Sequence, residues 1–162
     1  MSGETPVPAA APRLALSIQA GDEVEALPAS RPQLRRWVRA ALERDAMLTL
    51  RFVGRDEGRA LNAAYRKRDY ATNVLTFDYG APPDAPAQAD IVVCLPVVED
   101  EARAQGKPLD RHLAHLVIHG TLHAQGWDHE TSDADARAME ARERALLARF
   151  GIPDPYLAEE ER

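Results

Sequence analysis

The sequence predicts an α+β fold, a single four-stranded mixed sheet with about five helices packed on it. Three observations predict it. Four short runs place apolar residues with the spacing of strands. Five longer segments repeat apolar residues with a helical period between capping residues. The chain has 162 residues, 45% of them hydrophobic, and no internal repeat or linker, which suits one domain with one core.

Residues 1–12 hold three prolines and read as a flexible lead-in. Arg13 to Ile18 alternates large apolar with small or polar residues, the pattern of a strand. Ser30 followed by Pro32 is an N-cap with proline in the first turn. That helix is expected to run to about Glu43, with Leu34, Trp37, Val38, Ala41 and Leu42 inward. Met47 to Val53 alternates again as a second strand. Asp56 is placed to cap a second helix, which carries Leu61, Asn62 and Tyr65 and ends near Lys67. Asn73 to Tyr79 is a third strand. A loop with three prolines separates it from a fourth, Asp90 to Cys94. Pro96 opens a short helix to about Gln105. A histidine-rich helix follows, and Ser132 caps a last helix to Phe150, stopped by Gly151 and Pro153.

The net charge of −6 argues weakly against a general nucleic-acid coat protein, but the charge is unevenly placed. Residues 31–68 carry Arg31, Arg35, Arg36, Arg39, Arg44, Arg51, Arg55, Arg59, Arg66, Lys67 and Arg68 against four acids. Such a region can attract phosphate locally, although the arginines also stand in for lysine, of which the chain has two. The one cysteine, Cys94, lies in an apolar run and is expected to be a buried, inert thiol. The N-terminus shows no positive segment followed by an apolar core, and no stretch is long enough to span a bilayer. These features are those of a reduced, cytoplasmic enzyme that uses no membrane.

All five histidines fall between His112 and His129. Three are spaced His119-x3-His123-x5-His129. On a helix, residues four apart share a face, so His119 and His123 can point at one spot. Gly126 can end the helix, because glycine tolerates the left-handed backbone that turns the chain back. His129 then returns as a third nitrogen. Three imidazoles leave an open position on a divalent ion, as in a catalytic zinc site. The spacing also repeats that of a class of zinc hydrolases. One Zn2+ per chain is the expectation, although three histidines also bind nickel, copper or iron. The peptidases of that class carry a glutamate base directly after the first histidine. Here that place is Gly120. His112 and His115 share the helical stripe; His115 is a candidate substrate or supporting group, and Asp128 a candidate to orient a histidine or cap the turn. The expected organisation is a lead-in over 1–12, a metal-hydrolase domain over 13–153 and an acidic tail over 154–162.

Three blocks, taken in order, resemble the YbeY family of bacterial endoribonucleases. They are Leu61-Asn-Ala-Ala-Tyr-Arg66 with Asp69 and Asn73-Val-Leu-Thr-Phe77; Ala89-Asp-Ile-Val-Val93; and His115-Leu-Val-Ile-His-Gly-Thr-Leu-His-Ala-Gln-Gly-Trp-Asp-His129. The third is the most specific, since it includes both the glycine after His119 and the aspartate before His129. Asn73 and Ala71 stand where the family pattern often has Asp and Pro. The resemblance implies that His119, His123 and His129 bind zinc and that Arg66 acts at the active site. It implies a metal-dependent endoribonuclease specific for single-stranded RNA and not DNA. The implied role is maturation of ribosomal RNA, at the 3′ end of the small-subunit RNA, and ribosome quality control, with the ribosome or its small subunit as partner.

Arg66 suits that role, because a guanidinium forks onto phosphate oxygens and stabilises charge in the transition state. At a helix end it is equally the cation that a helix dipole favours. With Gly120 in the base position, the proton acceptor is open: a phosphate oxygen, His115 or the hydroxide itself. A zinc peptidase or amidase would use the same ligand spacing, and a non-catalytic ribosome assembly factor would carry the same ligands.

Overall fold

The chain runs β1 (Leu14–Ala20), α1 (Arg31–Ala40), β2 (Ala46–Val53), α2 (Arg55–Arg66), β3 (Val74–Asp78), β4 (Ala87–Cys94), α3 (Leu95–Gln105), α4 (Leu109–Ala124) and α5 (Asp133–Ala148). The structure is a computed structural model and describes residues 11–156. Most of the expected lead-in, residues 1–10, and residues 157–162 of the expected tail lie outside the described residues. Residues 154–156 are tied to α5: Arg144 Nε pairs with Asp154 Oδ2 at 2.7 Å, and the Tyr156 hydroxyl donates to Glu143 Oε2 at 2.9 Å. The packed unit therefore extends past the expected boundary at 153. No helix among the described residues is long and apolar enough to cross a membrane.

The strands form one mixed sheet in the order β1-β2-β4-β3. β1, β2 and β4 are parallel, and β3 runs antiparallel to β4. Parallel neighbours cannot be joined by a tight turn, so α1 crosses between β1 and β2. β3 is an edge strand, hydrogen-bonded on one side only. The α+β class, the four-stranded mixed sheet and the five helices are as the sequence predicts.

Alternate strand residues point to opposite faces. Leu48, Leu50 and Phe52 of β2 and Ala89, Ile91 and Val93 of β4 join α1, α3, α4 and α5 in the main core. On the other face Val53, Leu75, Val92 and Cys94 form a smaller cluster with Leu61 of α2. Met47 and Tyr79 lie exposed.

Several boundaries differ from those predicted, each for a tertiary reason. α1 stops at Ala40, short of Glu43, because the Gln125 side chain takes over the backbone there. Its Nε2 donates to Ala41 O at 2.7 Å and its Oε1 accepts from Glu43 N at 2.6 Å. α2 begins after Gly54, not at Asp56, and Glu23 accepts from Glu57 N at 3.2 Å in place of a local cap. β4 begins at Ala87 because it pairs with β2 from Ala46 onward. Of the residues that α2 carries, Tyr65 is exposed, while Asn62 is buried and donates to Tyr70 O at 2.7 Å.

α4 packs tightly on the sheet at Gly120. A Cβ there would stand 2.7 Å from Ile91 Cγ2 and 3.5 Å from Thr76 Oγ1. Ile91 is fully buried and β-branched, so it has little room to rotate away. Gly120→Ala should cost on the order of 1 kcal/mol net, since overpacking costs about 1–3 and the better helix former returns about 1. A thermal midpoint equal to or above that of the parent would show the seam to be slack.

Glu101 of α3 braces α4 against β3. His112 Nε2 donates to Glu101 Oε1 at 3.0 Å, and Asn73 Nδ2 donates to it at 3.1 Å. Burial alone would raise the Glu101 carboxyl, but the hydrogen bonds from His112 and Asn73 hold it below its ordinary value. A carboxyl lowered by folding contributes stability above its unfolded pKa of about 4.3, and loses it as pH falls through the folded value. Glu101→Gln should therefore unfold more easily than the parent at neutral pH, with the gap closing in acid. A gap constant down to about pH 3 would show that Glu101 carries no such linkage.

Candidate metal centre

α4 serves two neighbours at once. Leu113, Val117, Ile118 and Leu122 fill the core, while His119 and His123, one turn apart, face the free edge of β3. Past the helix, Gly126 adopts φ 104°, a backbone that side chains rarely tolerate. Trp127 N donates to Leu122 O at 3.2 Å and closes the turn. Asp128 Oδ1 accepts from Glu130 N at 2.8 Å, so Asp128 shapes this turn. His129 thereby returns to the other two.

One ring nitrogen from each of His119, His123 and His129 lies within 4.8 Å of the others. The three rings pack edge to face, with centroids 5.0 to 5.5 Å apart. They line a cavity of about 620 Å³ together with Arg66, Asn73 and the length of β3.

The donor set suits a divalent metal. Burial first, and then the neighbouring His119 and His129, push the His123 imidazole below its ordinary value, which favours the neutral form that a metal needs. His119 Nδ1 donates to Glu143 Oε1 at 2.9 Å, which leaves Nε2 as the ring nitrogen with a lone pair. Three ring nitrogens converging in an open cavity fit a divalent metal with a free position.

Glu143 is the residue that sequence reasoning missed. It lies on α5 and is 1% exposed. His115 Nε2 donates to the same Oε1 at 3.0 Å. Burial would raise this carboxyl, but the hydrogen bonds from His115 and His119 hold it down at about 2. The Tyr156 hydroxyl, which donates to it, is pushed up by burial and by the Glu143 charge. A signal existed in the sequence. Met139, Glu143, Leu146 and Leu147 share the buried face of α5, and a lone carboxylate on an apolar stripe needs a partner.

Of the other candidates, Arg66 reaches the cavity from the last turn of α2. Its Nη2 stands 3.9 Å from Glu130 Oε1, which is 3.8 Å from His129 Nε2. His115 does not line the cavity; it stands behind His119, on Glu143. His112 is buried against Glu101. A side chain at position 120 would start in the seam against Ile91, so no glutamate base fits there without moving the helix. Cys94 is buried, and burial raises its thiol.

Part of the arginine-rich stretch is engaged within the fold. Of its cations, Arg66 alone is in the cavity lining. Arg51 pairs with Glu57 at 2.7 Å, Arg55 with Asp100 at 2.9 Å and Arg59 with Asp69 at 2.7 Å. Arg44 donates to Pro82 O at 2.8 Å.

The family model described as Endoribonuclease YbeY matches residues 21–151. A protein of Burkholderia lata named Endoribonuclease YbeY is 56% identical over 150 residues, covering 90% of this chain and 87% of its own. One of the same name from Thiobacillus denitrificans is 56% identical over 146 residues, covering 90% and 98%. The solution structure of TM1509 from Thermotoga maritima shares the fold at a TM-score of 0.56 and 26% identity, covering 82% of this chain and 86% of that one. Matched by the family model over most of its length, and sharing more than half its aligned residues with each of these two relatives, the chain belongs to the YbeY endoribonuclease family.

Proposed function

We propose that this protein is a zinc-dependent endoribonuclease that cleaves single-stranded RNA during ribosomal RNA maturation in the cytoplasm, on or near the small ribosomal subunit. One observation carries the chemical part of this reading: three histidine nitrogens converge in the cavity that Arg66 also lines. Family membership supports RNA as the substrate.

His119, His123 and His129 hold the ion. When bound, such an ion supplies an acidified water, with pKa lowered from near ~16 to around ~7, and polarises a phosphoryl oxygen. Arg66 takes the scissile phosphate. Its contact with Glu130 is long and half exposed, so phosphate oxygens displace it at little cost. The guanidinium then neutralises charge that builds on those oxygens. Glu130 lines the cavity and offers Oε1 as a proton acceptor, whereas His115 is screened behind His119. Glu143 keeps the proton of His119 on Nδ1 and so holds Nε2 toward the ion. A peptidase reading loses its usual base, because position 120 is filled by the helix–sheet contact.

Purified protein should cleave single-stranded RNA but not casein, and chelator should abolish the cleavage. Arg66→Ala should retain metal and fold while losing about 10³-fold in rate, the scale of an arginine acting on phosphoryl charge. Cleavage of casein without cleavage of RNA would favour a peptidase. Metal binding without either activity would favour a non-catalytic assembly factor.

Glu143→Gln should weaken metal binding by about 10- to 100-fold, the usual effect of removing a partner behind a ligating histidine. Competition with a chromophoric chelator reads this directly. Unchanged affinity would reduce Glu143 to a purely structural role.

A further inference from the structure

Beside the metal cavity stands a group of aromatic rings with no assigned role. Tyr65, in the last turn of α2, is 67% exposed, and Tyr79, just past β3, is 62% exposed. Phe77 of β3 lies between them in the sequence order of the edge and packs on Tyr65, with ring centroids 4.5 Å apart and planes tilted by 55°. All three line two cavities at once. One is the cavity that holds His119, His123, His129 and Arg66. The other, of about 290 Å³, opens over the α2 face of the sheet and includes Thr49, Arg51, Leu61 and Asp90. The rings thus form a ridge at the free edge of β3, between the metal site and the open sheet face.

The rings are held in place before any ligand arrives. Tyr65 rests on Phe77. Tyr79 is pinned at both ends, its amide donating to Gln88 O at 2.9 Å and its hydroxyl to Asp90. A tyrosine ring held at its rim but open to solvent has its face free for a flat partner. Arg66, the phosphate contact, follows Tyr65 directly in sequence.

We propose that Tyr65, Phe77 and Tyr79 form a stacking platform for an unpaired nucleobase next to the phosphate held at Arg66. The proposal rests on the endoribonuclease reading and adds to it a source of single-strand preference. A base in a duplex has its faces covered by its neighbours and cannot reach an aromatic ridge, whereas an unpaired base can turn out and stack. Stacking engages the π-face that every base has, so the platform tolerates sequence. The neighbouring acids do not oppose it: Glu57 is neutralised by Arg51, Asp90 accepts the Tyr79 hydroxyl, and a base brings no charge to the ridge.

The test uses the full-length, metal-loaded protein and a single-stranded oligoribonucleotide, with an abasic residue placed in turn at each position around the cut. Tyr65→Ala and Tyr79→Ala should lose roughly tenfold or more in kcat/KM on the intact strand, with metal content and thermal midpoint unchanged. Tyr65→Phe should retain the activity. At one position the abasic residue should slow the parent protein to the level of Tyr65→Ala and slow that variant no further. Alanine variants that cleave the intact strand at the parental rate would overturn the platform, as would a penalty that persists at every abasic position. Binding of the same labelled strand, read by fluorescence anisotropy, separates the two ideas. A parent protein that binds but does not cleave overturns the endoribonuclease reading, while a binding penalty in the alanine variants still supports the platform. A parent protein that cleaves with no penalty in the variants overturns the platform alone.

Discussion

The structure depends on the close approach of α4 to β4 at Gly120. One helix must fill the core with Leu113, Val117, Ile118 and Leu122 and still present His119 and His123 to the edge of the sheet. The absence of a Cβ at 120 lets the helix sit against Ile91 and Thr76. The same contact explains why this histidine spacing coexists with glycine where a peptidase has its base. The position belongs to the packing seam.

A buried carboxylate then makes the histidines into a definite constellation. Removing Glu143 from water carries a large desolvation cost. Three donors offset it: His119 Nδ1, His115 Nε2 and the Tyr156 hydroxyl. They come from α4 and from the segment after α5, so the network also fixes how α5 and the chain beyond it dock. The low pKa of Glu143 states the same fact in electrostatic terms, since the charged form is the one these donors favour. A second carboxylate, Glu101, repeats the arrangement one turn and more earlier on α4 with His112. The histidine stripe is thus held by acids from both flanking helices, and only its C-terminal part opens to the cavity.

Several cations outside the cavity are engaged within the fold itself. Arg51, Arg55 and Arg59 each engage a carboxylate, and Arg44 holds the proline-rich loop before β4. Exposed pairs of this kind contribute little individually, but they leave Arg66 as the cation at the cavity.

The sequence by itself determined the strand and helix order, the caps at Ser30 and Ser132, and the grouping of His119, His123 and His129. These are local properties. Periodicity, capping and the i, i+4 rule act within a few residues, and Gly126 needs only its own backbone freedom to return His129. Tertiary structure decided what depends on partners far apart in the chain. Gln125 ends α1 from 84 residues away, and the register with β2 sets the start of β4 at Ala87. Whether an arginine lines the cavity or pairs away from it is settled by what packs opposite it, which separates Arg66 from Arg51 and Arg59. Glu143 meets His119 across 24 residues, and no local rule of spacing links them. Side-chain pairing between elements follows from how the elements pack, and packing is a property of the whole core.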